Sequence, residues 1–78
     1  MSDHEQYEVD LMRHALAWPK QYRNHFCADP GSLDDEVWKG LVSQGQAELF
    51  RESTELGGRF YRVTENGKIR LRKLEAPA

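Results

Sequence analysis

The hydrophobic periodicity of this chain changes at Gly45, and this change limits the fold to a mixture of helices and strands. Before Gly45, apolar side chains recur every three or four residues, which is the spacing of an amphipathic helix. After Gly45, aromatic and β-branched residues stand in short runs bounded by glycine and polar residues, as in strands. With 78 residues there is room for one small domain. We therefore predict a single α+β domain over residues 1–78, with residues 75–78 as a frayed tail.

Two segments before Gly45 predict helices. The first runs from about Asp3 to Trp18, and Pro19 ends it because a residue before proline is pushed out of the helical region. Ser2 or Asp3 caps its start. The second runs over residues 33–44 behind a capping Ser32, with an acidic first turn that suits the helix dipole. Trp18 and Trp38, one from each segment, are expected to pack in one core.

The segment between these helices predicts a short helical turn. Tyr22 and Phe26 are four residues apart, so such a turn would bury both rings in the core. Two interpretations of the polar residues in this run are open. In one, Arg23 and His25 contact a partner. In the other, Asn24 caps the turn while Tyr22 and Phe26 pack in the core.

The part after Gly45 predicts a β-hairpin followed by a segment with two interpretations. Residues 46–52 and 59–63 form the hairpin strands, joined by a polar loop over residues 53–58. Next, Asn66-Gly67 is a hairpin signal and residues 68–72 alternate, which predicts a third strand. Alternatively, Thr64 caps a final helix in which Leu71 and Leu74 share one face.

This order of elements resembles the winged-helix family. Residues 41–47 are similar to the end of a third helix that runs into the first wing strand. Residues 61–68 are similar to the segment after the wing, where Thr-Glu-X-Gly-basic opens a final helix. The resemblance implies two to three N-terminal helices, a hairpin wing and a short C-terminal helix, so it favours the helix for the last segment.

A second resemblance concerns origin. Motifs at residues 13–16, 22–26, 30–32 and 63–67 resemble a set of small, uncharacterised proteins encoded by bacteriophages and prophages. That resemblance implies a bacterial host cell and no particular activity.

Charge is distributed unevenly along the chain. Residues 1–45 carry four basic and eight acidic side chains, whereas residues 46–78 carry seven basic and five acidic ones. An acidic first half and a basic second half predict a positive patch on a molecule of net charge −2. The candidate nucleic-acid or partner contacts are Arg51, Arg59, Arg62, Lys68, Arg70 and Arg72.

Two interpretations of these basic residues are open. In DNA-binding winged helices the third helix enters the major groove, but its counterpart here begins Asp34-Asp35-Glu36, whose carboxylates repel phosphate. A backbone held by the wing, with Phe60 or Tyr61 for stacking, is the remaining route to nucleic acid. Alternatively the arginines face solvent and pair with nearby carboxylates, Glu48, Glu52 or Glu65.

The sequence carries no constellation that predicts catalysis or a cofactor. Cys27 is the single cysteine, which excludes an internal disulfide and a multi-cysteine zinc site, and we expect it to be buried and inert. His25 and Cys27 are two residues apart and would point apart in a helix. A metal site from His14, His25, Cys27 and Asp29 would have no recognised ligand spacing.

These observations predict a small non-enzymatic binding protein. Its expected role is that of an adaptor or regulator that contacts another protein, and the alternative is a DNA-binding regulator that uses its wing and basic C-terminal segment. No apolar run reaches the length of a membrane helix and residues 1–10 are acidic, so we expect a cytoplasmic location. Homodimerisation stays open, although no heptad repeat supports it.

Overall fold

The computed structural model of the protein describes residues 2–53, 55 and 57–75 and has an α+β fold. Three helices pack on one face of a three-stranded antiparallel sheet with strand order β1-β3-β2. In chain order the elements are α1 (Asp3–Leu16), β1 (Phe26–Ala28), α2 (Leu33–Ser43), β2 (Ala47–Ser53), β3 (Gly58–Val63) and α3 (Glu65–Glu75). The predicted frayed tail lies outside the described residues except for Glu75, as do two positions of the predicted hairpin loop.

Helix α1 begins where the sequence predicts and ends two residues early. The Ser2 hydroxyl accepts a hydrogen bond from the Glu5 N–H at 3.1 Å, which satisfies one of the free donors of the first turn. At the other end Ala17 adopts a left-handed conformation with φ 56°. The helix therefore ends at Leu16, two residues before Trp18, whose backbone conformation is restricted by Pro19.

Helix α2 confirms its predicted start. The Ser32 side chain accepts from the Asp35 N–H at 3.2 Å. The helix closes at Gln44, and Gly45 follows with φ 75°, a left-handed conformation that costs glycine little. This turn directs the chain from α2 into β2.

The predicted hairpin is also confirmed, and the pairing of its two strands contains a β-bulge. Ala47 lies opposite Val63 and Leu49 opposite Tyr61, but beyond Leu49 the register shifts. Phe50 is the extra residue of this bulge.

The prediction of a helical turn between α1 and α2 is wrong. Phe26 belongs to strand β1, which pairs antiparallel with β3 through Phe26 and Tyr61. Tyr22 is 72% exposed, and Asn24 hydrogen-bonds to the backbone of Val63 instead of capping a turn. The free edge of β3 needs backbone partners, and this segment supplies them in extended form.

The last segment is the helix α3, which settles the two interpretations left open by the sequence. The Thr64 hydroxyl accepts from the Gly67 N–H at 3.3 Å and caps the helix. Gly67 is buried, and a Cβ there would lie 2.3 Å from the carbonyl oxygen of Gln46. The glycine thus permits close packing of α3 on the start of β2, rather than forming a turn with Asn66.

The core lies between the helices and the inner face of the sheet, with Trp38 at its centre. Its indole stacks on the Tyr61 ring at a centroid distance of 5.5 Å and contacts Phe26 at the same distance. Trp18 is partly buried and packs against this core, so both tryptophans contribute to it, as predicted. Other fully buried side chains are Val9, Met12, Leu16, Leu41 and Leu71.

Candidate binding surface of the hairpin

A buried carboxylate fastens the hairpin to α2. Asp35 is fully buried and accepts hydrogen bonds from the Tyr61 hydroxyl at 2.6 Å, the Arg59 guanidinium at 2.7 Å and the Gly31 N–H at 2.9 Å. Burial alone raises the pKa of Asp35. The hydrogen bonds from Tyr61 and Gly31 and the positive charges of Arg59 and Lys39 outweigh burial, so the net pKa is lowered. Asp35 is therefore a charged anchor that sets the position of the hairpin relative to α2.

A groove lies between α2 and the hairpin beside this anchor. Val42 on α2 is 37% exposed and Leu49 on β2 is 40% exposed, and both line the groove. Its volume is about 270 Å³. The full lining of this α2–hairpin groove is Lys39, Val42, Leu49, Glu52, Arg59 and Tyr61.

The opposite side of the hairpin, which points away from the helices, carries stacked rings and guanidinium groups. Because of the bulge, Phe50 and Arg51 both lie against Phe60: the two rings are 6.2 Å apart and the Arg51 guanidinium is 5.8 Å from the Phe60 centroid. The Arg62 guanidinium lies 5.3 Å from the Phe50 centroid. We call this surface the outer face, with Glu48, Phe50, Arg51, Phe60 and Arg62 as its members.

The basic residues singled out by the sequence do not share one surface. Arg59 points into the α2–hairpin groove, Arg51 and Arg62 lie on the outer face, and the others lie on α3. Four of them form salt bridges: Arg59 with Asp35 and Glu52, Arg62 with Glu48, Arg70 with Glu8, and Arg72 with Glu65. Their charges are therefore partly neutralised within the molecule.

Two of the six candidates lack a salt bridge to the described residues, although the charge of Lys68 helps to lower the pKa of Glu65. Across residues 2–53, 55 and 57–75, neither Arg51 nor Lys68 forms a salt bridge. They lie on different elements, β2 and α3.

Arg23 and His25 meet at a second depression, next to strand β1. The Arg23 guanidinium donates to the carbonyl oxygen of His14 at 2.8 Å, while its Nε is buried and has no hydrogen-bond partner in the part of the chain that the structure describes. The depression has a volume of about 270 Å³ and is also lined by Phe26 and Cys27. The structure brings the two predicted contact residues together at a place where His14 packs edge-on against Phe26.

Cys27 is exposed, so the prediction of a buried cysteine is wrong. The side chains of β1 alternate, and Cys27 points away from the helices while Ala28 is buried. Within the described part of the chain, no group of three histidine, cysteine or acidic side chains is placed to hold a metal ion.

Sequence reasoning missed both the anchor and the groove. It assigned Asp35 to the exposed acidic first turn of α2. Asp35 is nevertheless three residues before Trp38 and so lies on the apolar face of the helix, a signal that predicts burial. Val42 and Leu49 are apolar residues within a predicted helix and a predicted strand, and the local sequence does not show that the fold leaves them partly exposed.

The comparisons with known proteins do not point to a class of protein, and the lengths of the helices do not point to one either. No protein-family model, curated protein or solved structure matches the chain. Among the residues that the structure describes, no helix is long and apolar enough to cross a membrane.

Proposed function

We propose that this chain is a small non-enzymatic binding protein, an adaptor or regulator that contacts another protein through its hairpin. The observation that carries the proposal is the exposure of Leu49 and Phe50, on opposite sides of one strand, together with Val42 across the groove. Adjacent exposed apolar side chains, such as Val42 and Leu49 in the groove, are typical of interaction sites. The Asp35 anchor joins β3 of the hairpin to α2 through Tyr61 and Arg59, so the two walls of the groove are positioned before binding, which lowers the entropic cost of association.

The groove suits a protein side chain better than a small-molecule ligand. Its volume of about 270 Å³ lies below the ~300–1,000 Å³ typical of ligand pockets. Its apolar floor is bordered by Lys39, Arg59 and Glu52, charges of both signs. An apolar centre with a polar rim is the usual composition of a protein–protein contact. The proposed occupant is an apolar side chain of the partner.

The alternative, duplex DNA binding through the wing and α3, has weaker support. Arg51 and Lys68 are the candidates without a salt bridge among the described residues, whereas four other candidate arginines are paired with carboxylates. The first turn of the helix that would enter the major groove carries three acidic residues, and two of them, Asp34 and Glu36, are at least partly accessible to phosphate. Phosphate binding would have to displace these internal pairs, at a cost in affinity.

The proposal places the protein in the cytoplasm. An exposed free thiol such as Cys27 persists in a reducing compartment. The order helix, strand, helix, hairpin, helix supports the proposed relation to winged-helix domains. Origin in a bacteriophage or prophage stays a prediction from the sequence motifs.

A pair of matched leucine variants tests the protein-binding function. Leu49→Glu puts a charge into the groove, whereas Leu33→Glu puts the same charge at an exposed position, 66% accessible, in the first turn of α2. Nine residues separate Leu33 from Val42, so the two lie on opposite faces of that helix. Proteins captured by wild type and Leu33→Glu but lost with Leu49→Glu support the proposal. Captured proteins that are retained equally by all three forms contradict it.

Titration into duplex DNA at two salt concentrations tests the alternative. Binding that weakens steeply with salt, and that is lost with Arg51→Glu, would replace protein binding as the function. Absence of binding at low salt would remove the alternative.

A further inference from the structure

The outer face presents two guanidinium groups already laid on aromatic rings. Arg51 lies over Phe60 and Arg62 lies over Phe50, with both arginines exposed. Such contacts restrict side chains that are otherwise mobile, so less entropy is lost when a partner binds them. Arginine and aromatic side chains in this arrangement are also the residues enriched in the energetic centres of protein interfaces.

The charge on this face is incompletely balanced. Glu48 pairs with Arg62, whereas the side chain of Arg51 forms no salt bridge and no hydrogen bond among the described residues. A guanidinium group that lies over a ring can still donate hydrogen bonds from the N–H groups in its own plane. These N–H groups form a planar fork whose spacing matches the two oxygens of a carboxylate. The guanidinium group of Arg51 is therefore suited to bind an acidic group of a partner.

The same stacking disfavours single-stranded nucleic acid. Proteins that bind single strands use the open faces of aromatic rings to stack bases. Here a guanidinium group lies over one face of each ring, so a base could stack on that face only if Arg51 or Arg62 moved away, whereas the rest of the exposed Phe50 side chain stays open to a smaller apolar group. A carboxylate meets no such obstacle.

From these observations we infer that the outer face binds an acidic segment of the partner protein, with one carboxylate on Arg51 and an adjacent apolar side chain against Phe50. Phe50 is 42% exposed and supplies the apolar contact beside the charge. The inference rests on the proposed protein-binding function and adds the chemistry of the partner. The α2–hairpin groove and the outer face would then contact the partner from the two sides of β2.

Selection from a displayed library of random peptides tests the inference without a known partner. Wild-type protein is expected to enrich peptides that carry Asp or Glu next to an aromatic or aliphatic residue. Binding of a selected peptide should weaken roughly tenfold or more with Arg51→Glu and with Phe50→Ala. Lys20→Glu makes the same sign of charge change at an exposed site between α1 and β1, and should change affinity less than about twofold.

A charge exchange makes the assignment specific to Arg51. A selected peptide whose acidic residue is replaced by Lys should bind Arg51→Glu better than wild type, because the interacting charges are then reversed together. Circular dichroism and thermal unfolding of Arg51→Glu establish that the fold is intact before the comparison.

The outcomes separate this inference from the proposed function. Peptides that are lost with Leu49→Glu but bind equally to wild type and Arg51→Glu would overturn the acidic partner and leave protein binding in place. Enrichment of basic or uncharged peptides would do the same. Failure of any peptide to bind, or displacement of bound peptide by an oligothymidine strand at low salt, would overturn both.

Discussion

The side-chain amide of Asn24 forms two hydrogen bonds with the backbone of Val63, as a neighbouring strand would. Its Oδ1 accepts from the Val63 N–H at 2.8 Å, and its Nδ2 donates to the Val63 carbonyl oxygen at 2.9 Å. Strand β1 pairs Phe26 with Tyr61, and extension of that register by two residues places Asn24 opposite Val63. The asparagine therefore continues the β1–β3 ladder with its side chain where the backbone strand has ended.

Replacement of Asn24 is expected to destabilise the sheet. Asn24→Ala leaves both partly buried backbone groups of Val63 without partners, which should lower the free energy of unfolding by about 2 kcal/mol. Asn24→Asp keeps the accepting oxygen but places a carboxylate against the Val63 carbonyl, so it should rescue little of this loss. Asn66→Ala, at an exposed position of α3, is the control and should change stability by less than about 0.5 kcal/mol. Urea unfolding measures all three, and equal stabilities of Asn24→Ala and Asn66→Ala would contradict the role of the amide.

Around Asn24 the local sequence pattern predicts the wrong secondary structure. The four-residue spacing of Tyr22 and Phe26 fits a helical turn, yet the chain there is extended because β3 requires partners along its edge. That requirement arises from residues almost forty positions away in the sequence. Had β1 been recognised, simple alternation would have placed Cys27 outside and Phe26 and Ala28 toward the helices.

Gly67→Ala is expected to destabilise the protein, although alanine is the better helix former. The added Cβ would lie 2.3 Å from the Gln46 carbonyl oxygen and 2.5 Å from Val63 Cγ1, so α3 must shift away from the sheet. Overpacking of this kind costs about 1–3 kcal/mol, more than the ~1 kcal/mol gained in helix propensity. Gly40→Ala, where nothing lies within 4 Å of the new Cβ, should instead gain stability. Thermal unfolding should therefore shift in opposite directions for the two variants, and a stabilised Gly67→Ala would refute the close approach.

The hairpin and α2 follow from local signals, whereas the local signals for α3 conflict. Asn66-Gly67 and the alternation after it predict a strand, whereas the Thr64 cap and the spacing of Leu71 and Leu74 predict a helix, and only the winged-helix resemblance favours the helix that the structure has. The physical reason is that Gly67 serves packing between α3 and Gln46, a contact that its sequence neighbours do not reveal. The salt bridges of the candidate arginines were foreseen as one interpretation, and Arg62 with Glu48 and Arg72 with Glu65 realise it.

Asp35 is expected to make the fold sensitive to acid. Its pKa in the folded state is lowered from the ordinary value of 3.8, chiefly by its hydrogen bonds from Tyr61 and Gly31, with burial acting against them. A lowered folded-state pKa contributes stability above 3.8 that is lost as the pH falls through the folded-state pKa. The free energy of unfolding of wild type should therefore fall as the pH is lowered below about 4.

Removal of the Asp35 charge isolates its contribution. Asp35→Asn leaves Arg59 without its buried partner and should cost about 3 kcal/mol near neutral pH. The remaining acid sensitivity of this variant should be smaller than that of wild type. Glu36→Gln removes an exposed carboxylate from the same helical turn and should cost less than about 1 kcal/mol, with the acid response retained. Parallel pH profiles for wild type and Asp35→Asn would rule out Asp35 as the titrating group.

Cys27 is expected to react with an aromatic disulfide reagent in the native protein. Its side chain is exposed on the outside of β1, so labelling does not have to wait for unfolding. The native rate should lie within about tenfold of the rate measured in denaturant, whereas a buried thiol would be slowed by roughly a thousandfold or more, because unfolded molecules are that rare. The absorbance of the released thiolate follows both reactions. Strong protection in the native state would mean that Cys27 points toward the helices and that the register of β1 against β3 is shifted by one residue.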